Sequence, residues 1–433
     1  LIHNRIIFFL FGIFSIFIGA ELSSIKLWAG ERLAAERPLS FEKMLEEMTN
    51  QHAAVLVEKE KVNQAQITLR KRKLNLLPHL SLDASQTGNG FTNPSSNSVS
   101  LDGNINLFRS GADSALIDAA SFDLDGERSQ LSNIKITSET ESAQVLIHYI
   151  EKQRKIEILK NSAQTFQTAR EIADQRYRKG LLPLQEADKA VVDLNNAQAR
   201  LSDAQLELIL ARENFERLST GQEVETLWPW KITMEKSHFR TPMKNDFYQR
   251  SLNERPDYRA LLSQVNAEHA RSISSHRTVF PALNLSASYG AVENLGAPWT
   301  LGNATTISIS MPFFEAFQNQ SDYELQRASE SIAMVKLKQL ERDIRAQVNS
   351  AQDTFITSIE TAQAREQTLL TSRKLYETNL RRLQQGRATA NDVALDQSRL
   401  TDSELLALQG WSGAHLSFVN LCHSVGLLVG DCR

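Results

Sequence analysis

Twice in this chain a charged, helix-like run stops at a proline and the hydrophobic period drops to two. The first switch is LPHLSLDAS, residues 77–85, where Leu80, Leu82 and Ala84 alternate with Ser81, Asp83 and Ser85. The second is FPALNLSASYG, residues 280–290, where Leu283, Leu285, Ala287 and Tyr289 alternate with Asn284, Ser286 and Ser288. Proline lacks the N–H that a helix needs, and alternation puts successive side chains on opposite faces of a strand. Any fold for this chain must therefore place two short amphipathic strands directly after helices.

Each strand has a partner. The turn-rich GNGFTNPSSN, residues 88–97, leads to a second alternating run in which Val99, Leu101, Ile105 and Leu107 oppose Ser100, Asp102, Asn104 and Asn106. ENLGAPWTLG, residues 293–302, leads to a run with Ile307, Ile309 and Met311 against Thr306, Ser308 and Ser310. The expected strands cover about 79–87, 98–108, 282–290 and 304–312, as two β-hairpins.

The rest reads as helix. Residues 39–75 form one expected helix. A long one follows the first hairpin, since 127–179 contain neither Gly nor Pro, and Gly180-Leu-Leu-Pro183 ends it. A shorter helix covers about 184–218. Another spans 257–278, and the break-free run 313–385 would reach on the order of 110 Å as a continuous helix. Gly386 ends that run, and a last helix covers about 392–425. Along the 313–385 run, Leu337, Leu340, Ile344, Val348, Ala351, Phe355, Ile359 and Ala362 recur at three- and four-residue steps, a coiled-coil-like seam.

The plan is duplicated. Pro78 and Pro281 lie 203 residues apart, Phe108 and Phe314 206, Gly180 and Gly386 again 206. That period is far beyond solenoid repeats. The expected organisation is a signal segment at 1–20, a first helix–hairpin–helix–helix repeat at 38–221, and a connector at 222–246. A second repeat at 247–426 and a short tail at 427–433 complete it.

Composition narrows the classes. A net charge of −3 without Lys/Arg blocks gives no footprint for nucleic acid. Hydrophobic content is 41% and aromatic content only 7%, which suits long exposed helices better than a bulky core. IIFFLFGIFSIFIGA, residues 6–20 after Arg5, has the length of a signal-peptide core, with a signal anchor as the alternative. No Cys directly follows it, so a lipid anchor is not expected. Cys422 and Cys432 are the two cysteines; one sits in a helical pattern and the other beyond it, and the reading favours leaving them unpaired. His269 and His276 do not make a metal set. P-loop, HExxH and GxSxG patterns are lacking, so the expectation is no enzyme and no cofactor.

The hairpins admit two readings. A soluble chain would use the apolar faces as core, but four short strands bury one another poorly. In a membrane the apolar faces meet lipid, and the sheet must close because every backbone group needs a partner. Four strands are too few, so the chain would oligomerise. Asp83, Asp102, Asn104, Asn106 and Asn284 would then face a wet lumen. The competing reading is a soluble or anchored coiled-coil scaffold that uses the hairpins as dimerisation tabs.

NERPDYRALLSQVNAEHA with the FPALNLSASYG strand, MPFFEAF (residues 311–317), RYRKGLLPLQEADKA (176–190) and RLQQGRATANDVALDQSRL (382–400) together resemble the TolC-like outer-membrane efflux family. The last two are similar to its helix-turn-helix tips. The resemblance covers about residues 38–426. It implies a mainly α fold with a small membrane β part, forming as a homotrimer a 12-stranded β-barrel continued by a long periplasmic α-barrel. Two shorter helices would stack against each long one. The implied role is an exit duct in outer-membrane lipid, working with a periplasmic adaptor and an inner-membrane transporter in efflux or type I secretion. The implied adaptor-contacting tips are Lys179, Gly180, Leu181 and Leu182, and Gln385, Gly386, Arg387 and Ala388. The implied gate acids are Asp392, matched in the family's Gly-x5-Asp pattern, with Asp396, Glu186 and Asp188. Leu395 stands where a second acid is common, and Leu383 where the tip usually has Tyr, so a tyrosine-centred closing network is not implied. Asp392 can equally be an acid in the first turn of a helix, favoured by the helix dipole.

Overall fold

The structure, a computed structural model, describes residues 41–88, 95–219, 244–294, 298–311, 316–385 and 387–432. The expected signal segment, most of the connector and Gly386 lie outside the described residues. In chain order the elements are α1 (Phe41–Gln51), α2 (Ala53–Leu74), β1 (His79–Gly88), β2 (Ser95–Phe108), α3 (Ala112–Arg178) and α4 (Leu184–Ser219), then α5 (Lys244–Glu254), α6 (Pro256–Arg277), β3 (Ala282–Asn294), β4 (Thr300–Ser310), α7 (Ala316–Gln384) and α8 (Ala390–Val425).

The duplication shows in the lengths. Helices α2 and α6 have 22 residues each, α3 and α7 67 and 69, α4 and α8 36 each. At 1.5 Å per residue α3 and α7 each extend about 100 Å. Helices α2 and α4 pack along α3, and α6 and α8 along α7; α3 also packs on α6 and α8, which joins the repeats.

Two expected elements differ. The helix read over 39–75 breaks at His52, whose backbone is extended (φ −60°, ψ 129°) and whose Nδ1 accepts the Ala54 N–H at 3.3 Å. A side chain that caps a new helix start competes with continuation of the old one. Part of the connector and the stretch before 257 form α5. It stops at Glu254 because Pro256 keeps Arg255 out of helical geometry while itself starting α6.

The seam on α7 is the core of the second repeat. Ile344, Val348 and Ala362 are fully buried and Phe355 nearly so. Burying each of the larger side chains is worth about 1.5–3 kcal/mol. Phe355 clusters with Phe418, Leu421 and Val425 of α8, and elsewhere the α7–α8 contact uses small groups. Ser372 and Ser403 hydroxyls bond at 2.9 Å, Ser358 and Ser417 bond likewise, and a Cβ on Gly410 would lie 3.1 Å from Ala362 Cα.

Arg255 ties the elements of the second repeat together. Its guanidinium forks onto Asp257 (Nε 3.0 Å, Nη2 2.6 Å), while Nη1 donates to Gln347 Oε1 at 3.0 Å and to the Ser424 carbonyl at 2.9 Å. It thus links the α5–α6 junction to α7 and to a last-turn carbonyl of α8, one of the orphan acceptors every helix end leaves. Beyond it α8 ends at Gly426 (φ 85°), whose N–H bonds back to Cys422 and His423 carbonyls.

After Gly426 the chain turns back on α8. Cys422 and Cys432 are therefore disulfide-bonded, with Cα atoms 5.6 Å apart, which corrects the expectation of unpaired cysteines. The turn also brings the Val429 N–H to Glu139 on α3, whose burial pushes its carboxyl up to about 7.

Two predictions follow from these contacts. Arg255→Ala strands the Asp257 carboxylate and should cost about 3–5 kcal/mol in denaturant unfolding, with Arg255→Lys recovering only part because it lacks the fork. An unchanged midpoint for the Ala variant would show that Arg255 is not the tie. For Glu139 the folded chain holds its proton to a higher pH than the unfolded chain does. Its contribution to stability is thus present below about 4.5 and lost as pH rises through about 7. Glu139→Gln should flatten the thermal midpoint across that window, and a variant profile superposing on wild type would refute this.

Candidate functional site

The four strands form one antiparallel sheet in the order β1-β2-β3-β4, so the hairpins join through β2 and β3. Below that join, α3 and α6 are tied as well. Arg277 Nη1 donates to the Gly111 carbonyl at 2.9 Å, Ser274 Oγ to that of Ala112 at 3.0 Å, and Ser110 Oγ to that of Pro281 at 3.1 Å. The turn out of β2 is tight, with Ser110 and Gly111 both left-handed (φ 53° and 79°).

Register places the five candidate lumen residues on one face. Asp102 faces Ser81 and Ser288, Asn104 faces His79 and Ser286, Asn106 faces Asn284, and Asp83 faces Ser100. Hydroxyls hold the acids: Ser81 Oγ donates to Asp83 at 2.9 Å and Ser100 Oγ to Asp102 at 2.6 Å. None of the four strands contains Lys or Arg, so the fixed charge of this face is negative.

The opposite face is bare and apolar. Leu82 is 74% exposed, Leu301 72% and Ile309 75%. On β3 this face is Leu283, Leu285, Ala287, Tyr289 and Ala291, flanked across the ladder by Phe108, Ile105, Leu101 and Val99 on one side and Ile309, Ile307 and Leu301 on the other. A register shift between Asn106 and Phe108 is what brings Phe108 opposite Leu283. Asn303 and Thr305 on β4 interrupt the band. Five rows two residues apart span about 27 Å along a strand at roughly 3.4 Å per residue, close to the ~25 Å apolar band of membrane barrels. The next row is polar, with Asn97 donating to Glu293 at 3.0 Å. The outer edges of β1 and β4 have no strand partner within the described residues.

At the far ends of the long helices the two tips share one turn. Gly180 (φ 70°) ends α3, and the Leu181 N–H reaches back to the Arg176 carbonyl at 2.9 Å. In the second tip the Arg387 N–H reaches the Arg382 carbonyl at 2.8 Å, the same bond 206 residues on. Gly386 itself is outside the described residues. Lys179, Gly180, Leu181, Gln385 and Arg387 are exposed, and Leu182 and Ala388 half-buried. Leu181 stands out at 72% exposure, a large apolar side chain at the apex.

The candidate gate acids separate. Asp392 is exposed and fixed. Thr389 Oγ1 and N–H donate to its Oδ2 at 2.7 and 2.9 Å, and the Asp392 N–H returns a bond to Thr389 Oγ1 at 3.2 Å. Those two bonds hold its carboxyl below the usual carboxylate range. Glu186 occupies the matching place in the first turn of α4 and, like Asp188, is exposed. Asp396 is turned inward between α7 and α8, 4% exposed, with Asn379 donating to one oxygen and Arg399 3.3 Å from the other. It offers no free carboxylate in this arrangement.

The outer helices of the tips are bridged by Lys189 to Asn391 and by Arg200 to Asp402 at 2.6 Å. Between them lies a cavity of about 270 Å³ reaching Phe166 and Leu395. These bridges and the Thr389 cap were missed from the sequence. The cap alone left a signal, a Thr three residues before an acid at a helix start. Among the described residues no group of His, Cys, Asp and Glu is placed to hold a metal, and no helix is long and apolar enough to cross a membrane. His269 pairs with Glu330 and His276 packs on Phe280 and Tyr323, both supporting helix contacts.

A sheet with one bare apolar face, carried on helices of this length, defines a membrane protein with a helical stalk. The comparisons supply the family. The outer membrane efflux protein model matches residues 45–221 and 247–417, and the chain belongs to that family of outer-membrane channels, which are not enzymes. Among solved structures it is similar to the outer membrane protein VceC of Vibrio cholerae, at 17% identity over 90% of this chain and 96% of that one, with a TM-score of 0.75. It is similar to the open state of the MtrE outer membrane channel of Neisseria gonorrhoeae (16% identity, 90% of each chain, TM-score 0.77). It is similar to CusC (15%, 92% of this chain and 96% of that one, 0.76). At these identities the likeness is one of fold. No curated protein sequence matches the chain.

Thr389→Val removes the cap and the hydroxyl bond to Asp392. The expected result is a rise of the Asp392 pKa toward its ordinary value and roughly five- to tenfold faster amide exchange in the first turn of α8. Exchange equal to wild type would show that the cap does not order this tip.

Proposed function

We propose that three copies of this chain form the exit duct of a tripartite efflux or type I secretion machine. The observation that carries the reading is the open sheet. With β1 of one protomer pairing β4 of the next, three copies close twelve strands, the apolar band meets lipid, and Asp83, Asp102, Asn104, Asn106 and Asn284 line a wet lumen. The long helices then continue the tube through the periplasm. The tips at Lys179–Leu182 and Gln385–Ala388 meet a periplasmic adaptor, which links the duct to an inner-membrane transporter. Energy comes from that transporter, because this chain presents no nucleotide motif.

Asp392 is the gate acid we assign first, with Glu186 in the matching register and Asp188 two residues on. Asp396 acts from behind, holding α7 to α8. A soluble coiled-coil scaffold leaves the apolar band without a cover, which counts against it.

Single-channel recording in planar bilayers tests the assignment. Wild type should be trimeric by mass and give stable pores. Asp392→Ala should change conductance or lower cation preference, and the wild-type cation preference should persist to lower pH than for an ordinary carboxylate, given the depressed pKa of Asp392. A soluble dimer without pores would overturn the duct, and an Asp392→Ala pore identical to wild type would remove Asp392 from the gate.

A further inference from the structure

The duct reading makes no use of the disulfide, yet the disulfide sits where both repeats meet. Cys422 is fully buried in the last turns of α8, and Cys432 is half-buried. The segment between them does three things. Leu427 packs on Phe355 of α7 and on Leu421 and Val425. Val429 packs on Leu45 of α1, Ala143 and Ile147 of α3, and Val419 of α8. The Val429 N–H lies close to the Glu139 carboxyl of α3. The segment thus spans from one long helix to the other, around mid-length of both. It is also pinned where it leaves α8, since a Cβ on Gly426 would lie 2.7 Å from Arg255 Cα. Helix α8 begins at the tip with Thr389 and Asp392, so whatever fixes its far end also fixes a lever about 54 Å long.

We propose that Cys422–Cys432 is a thiol–disulfide exchange site whose oxidation locks the end of α8 to α3 and α7, and whose reduction by a dithiol frees it. The two sulfurs are not equivalent. Burial shields Cys422, so an incoming thiolate bonds to Cys432 Sγ. The S–S bond breaks, and Cys422 Sγ leaves with the electron pair and takes up a proton. The second thiol of the dithiol then attacks the mixed disulfide and releases Cys432 as a thiol. In sum the protein gains two electrons and two protons, and the dithiol becomes a disulfide. The lock is made by the reverse exchange with an oxidised protein disulfide of the oxidoreductase class. An oxidising compartment for that step rests on the proposed outer-membrane location. Closing a loop with a sequence separation of 10 makes opening of the segment less favourable by roughly 100-fold in the loop-entropy account.

The test uses the whole purified protein in detergent and does not depend on pore formation. Amide exchange is followed by mass spectrometry with and without dithiothreitol, and for Cys432→Ser without reductant. That variant leaves buried Cys422 in place, so it keeps the packing of α8. The expected result is that reduction exposes two alkylatable thiols. Exchange over residues 424–432 should then rise by about 10- to 100-fold, and the variant should match reduced wild type. Protection along α3 and α7 away from Glu139 and Phe355 should persist. Three results would each overturn the proposal: no disulfide in the oxidised protein, unchanged exchange in both the reduced protein and the variant, or loss of protection along the whole of α3 and α7. The last would make the bond a global staple rather than a lock.

Discussion

The constraint on which the rest depends is the unpaired backbone at the edges of β1 and β4. Among the described residues the sheet stops there, with one face apolar over five rows and the other face polar. In lipid each unpaired N–H or carbonyl costs several kcal/mol, so a membrane-embedded sheet tolerates no edge. The apolar band forbids water on one side and the edges forbid lipid on both ends. Only copies of the same sheet resolve both demands, because a β1 edge and a β4 edge are antiparallel-compatible when the subunits are related by rotation. The helices serve that closure. The pairing of β2 with β3 is the join between repeats, and the bonds from Arg277, Ser274 and Ser110 across α3 and α6 hold the two hairpins at the spacing the sheet needs.

Below the sheet the chain solves a different problem, which is to be long without a thick core. A helix of about 100 Å that buried a wide face would need a bulky partner along its whole length. Here the buried stripe on α7 is narrow, Ile344, Val348, Phe355 and Ala362, and the shorter helices supply its cover in two stacked pieces. Near its end α8 packs Phe418, Leu421 and Val425 against Phe355, and toward the tip hydroxyl pairs such as Ser372–Ser403 and the Gly410–Ala362 approach let it lie close. Such a contact has directional hydrogen bonds but little apolar area, so its stability rests on position along the helix more than on bulk. Arg255 and the segment closed by Cys422–Cys432 stand where the stacked pieces meet, and each joins the end of α8 to the middle of a long helix.

Much of this was legible. Period two after Pro78 and Pro281 located the hairpins, and the constant 206-residue offset from Phe108 to Gly386 located the repeat. The candidate lumen residues share one face because strand alternation leaves no other choice. What sequence could not supply was contact between distant segments. Arg255 was visible as part of an Arg-Pro-Asp string, but its partners Gln347 and Ser424 lie 92 and 169 residues away. The cysteines looked unpaired because the turn-back after Gly426 depends on a left-handed glycine beside Arg255. His52 looked like the interior of a helix, since its break is a backbone choice stabilised by its own ring. Asp396 stood beside Asp392 among the candidate gate acids, and the α7–α8 packing turns it inward.

The tips show what duplication followed by divergence achieves. The bond from Leu181 to Arg176 and the bond from Arg387 to Arg382 are the same turn, so the backbone of both tips is set by one rule. The residues that open their outer helices differ, Pro183-Leu-Gln-Glu186 in the first tip and Thr389-Ala-Asn-Asp392 in the second. Where the first tip has Pro183 before Glu186, the second has Thr389 before Asp392. Proline offers no hydroxyl and no N–H, so Glu186 receives no bond from it. Threonine offers both, and Asp392 receives both. A shorter acid held by two donors has its position fixed and its charge retained to lower pH. An annular constriction needs charge at a defined radius, and flexible charge smears it. In the gate proposed above, Asp392 is therefore the braced acid and Glu186 the unbraced one.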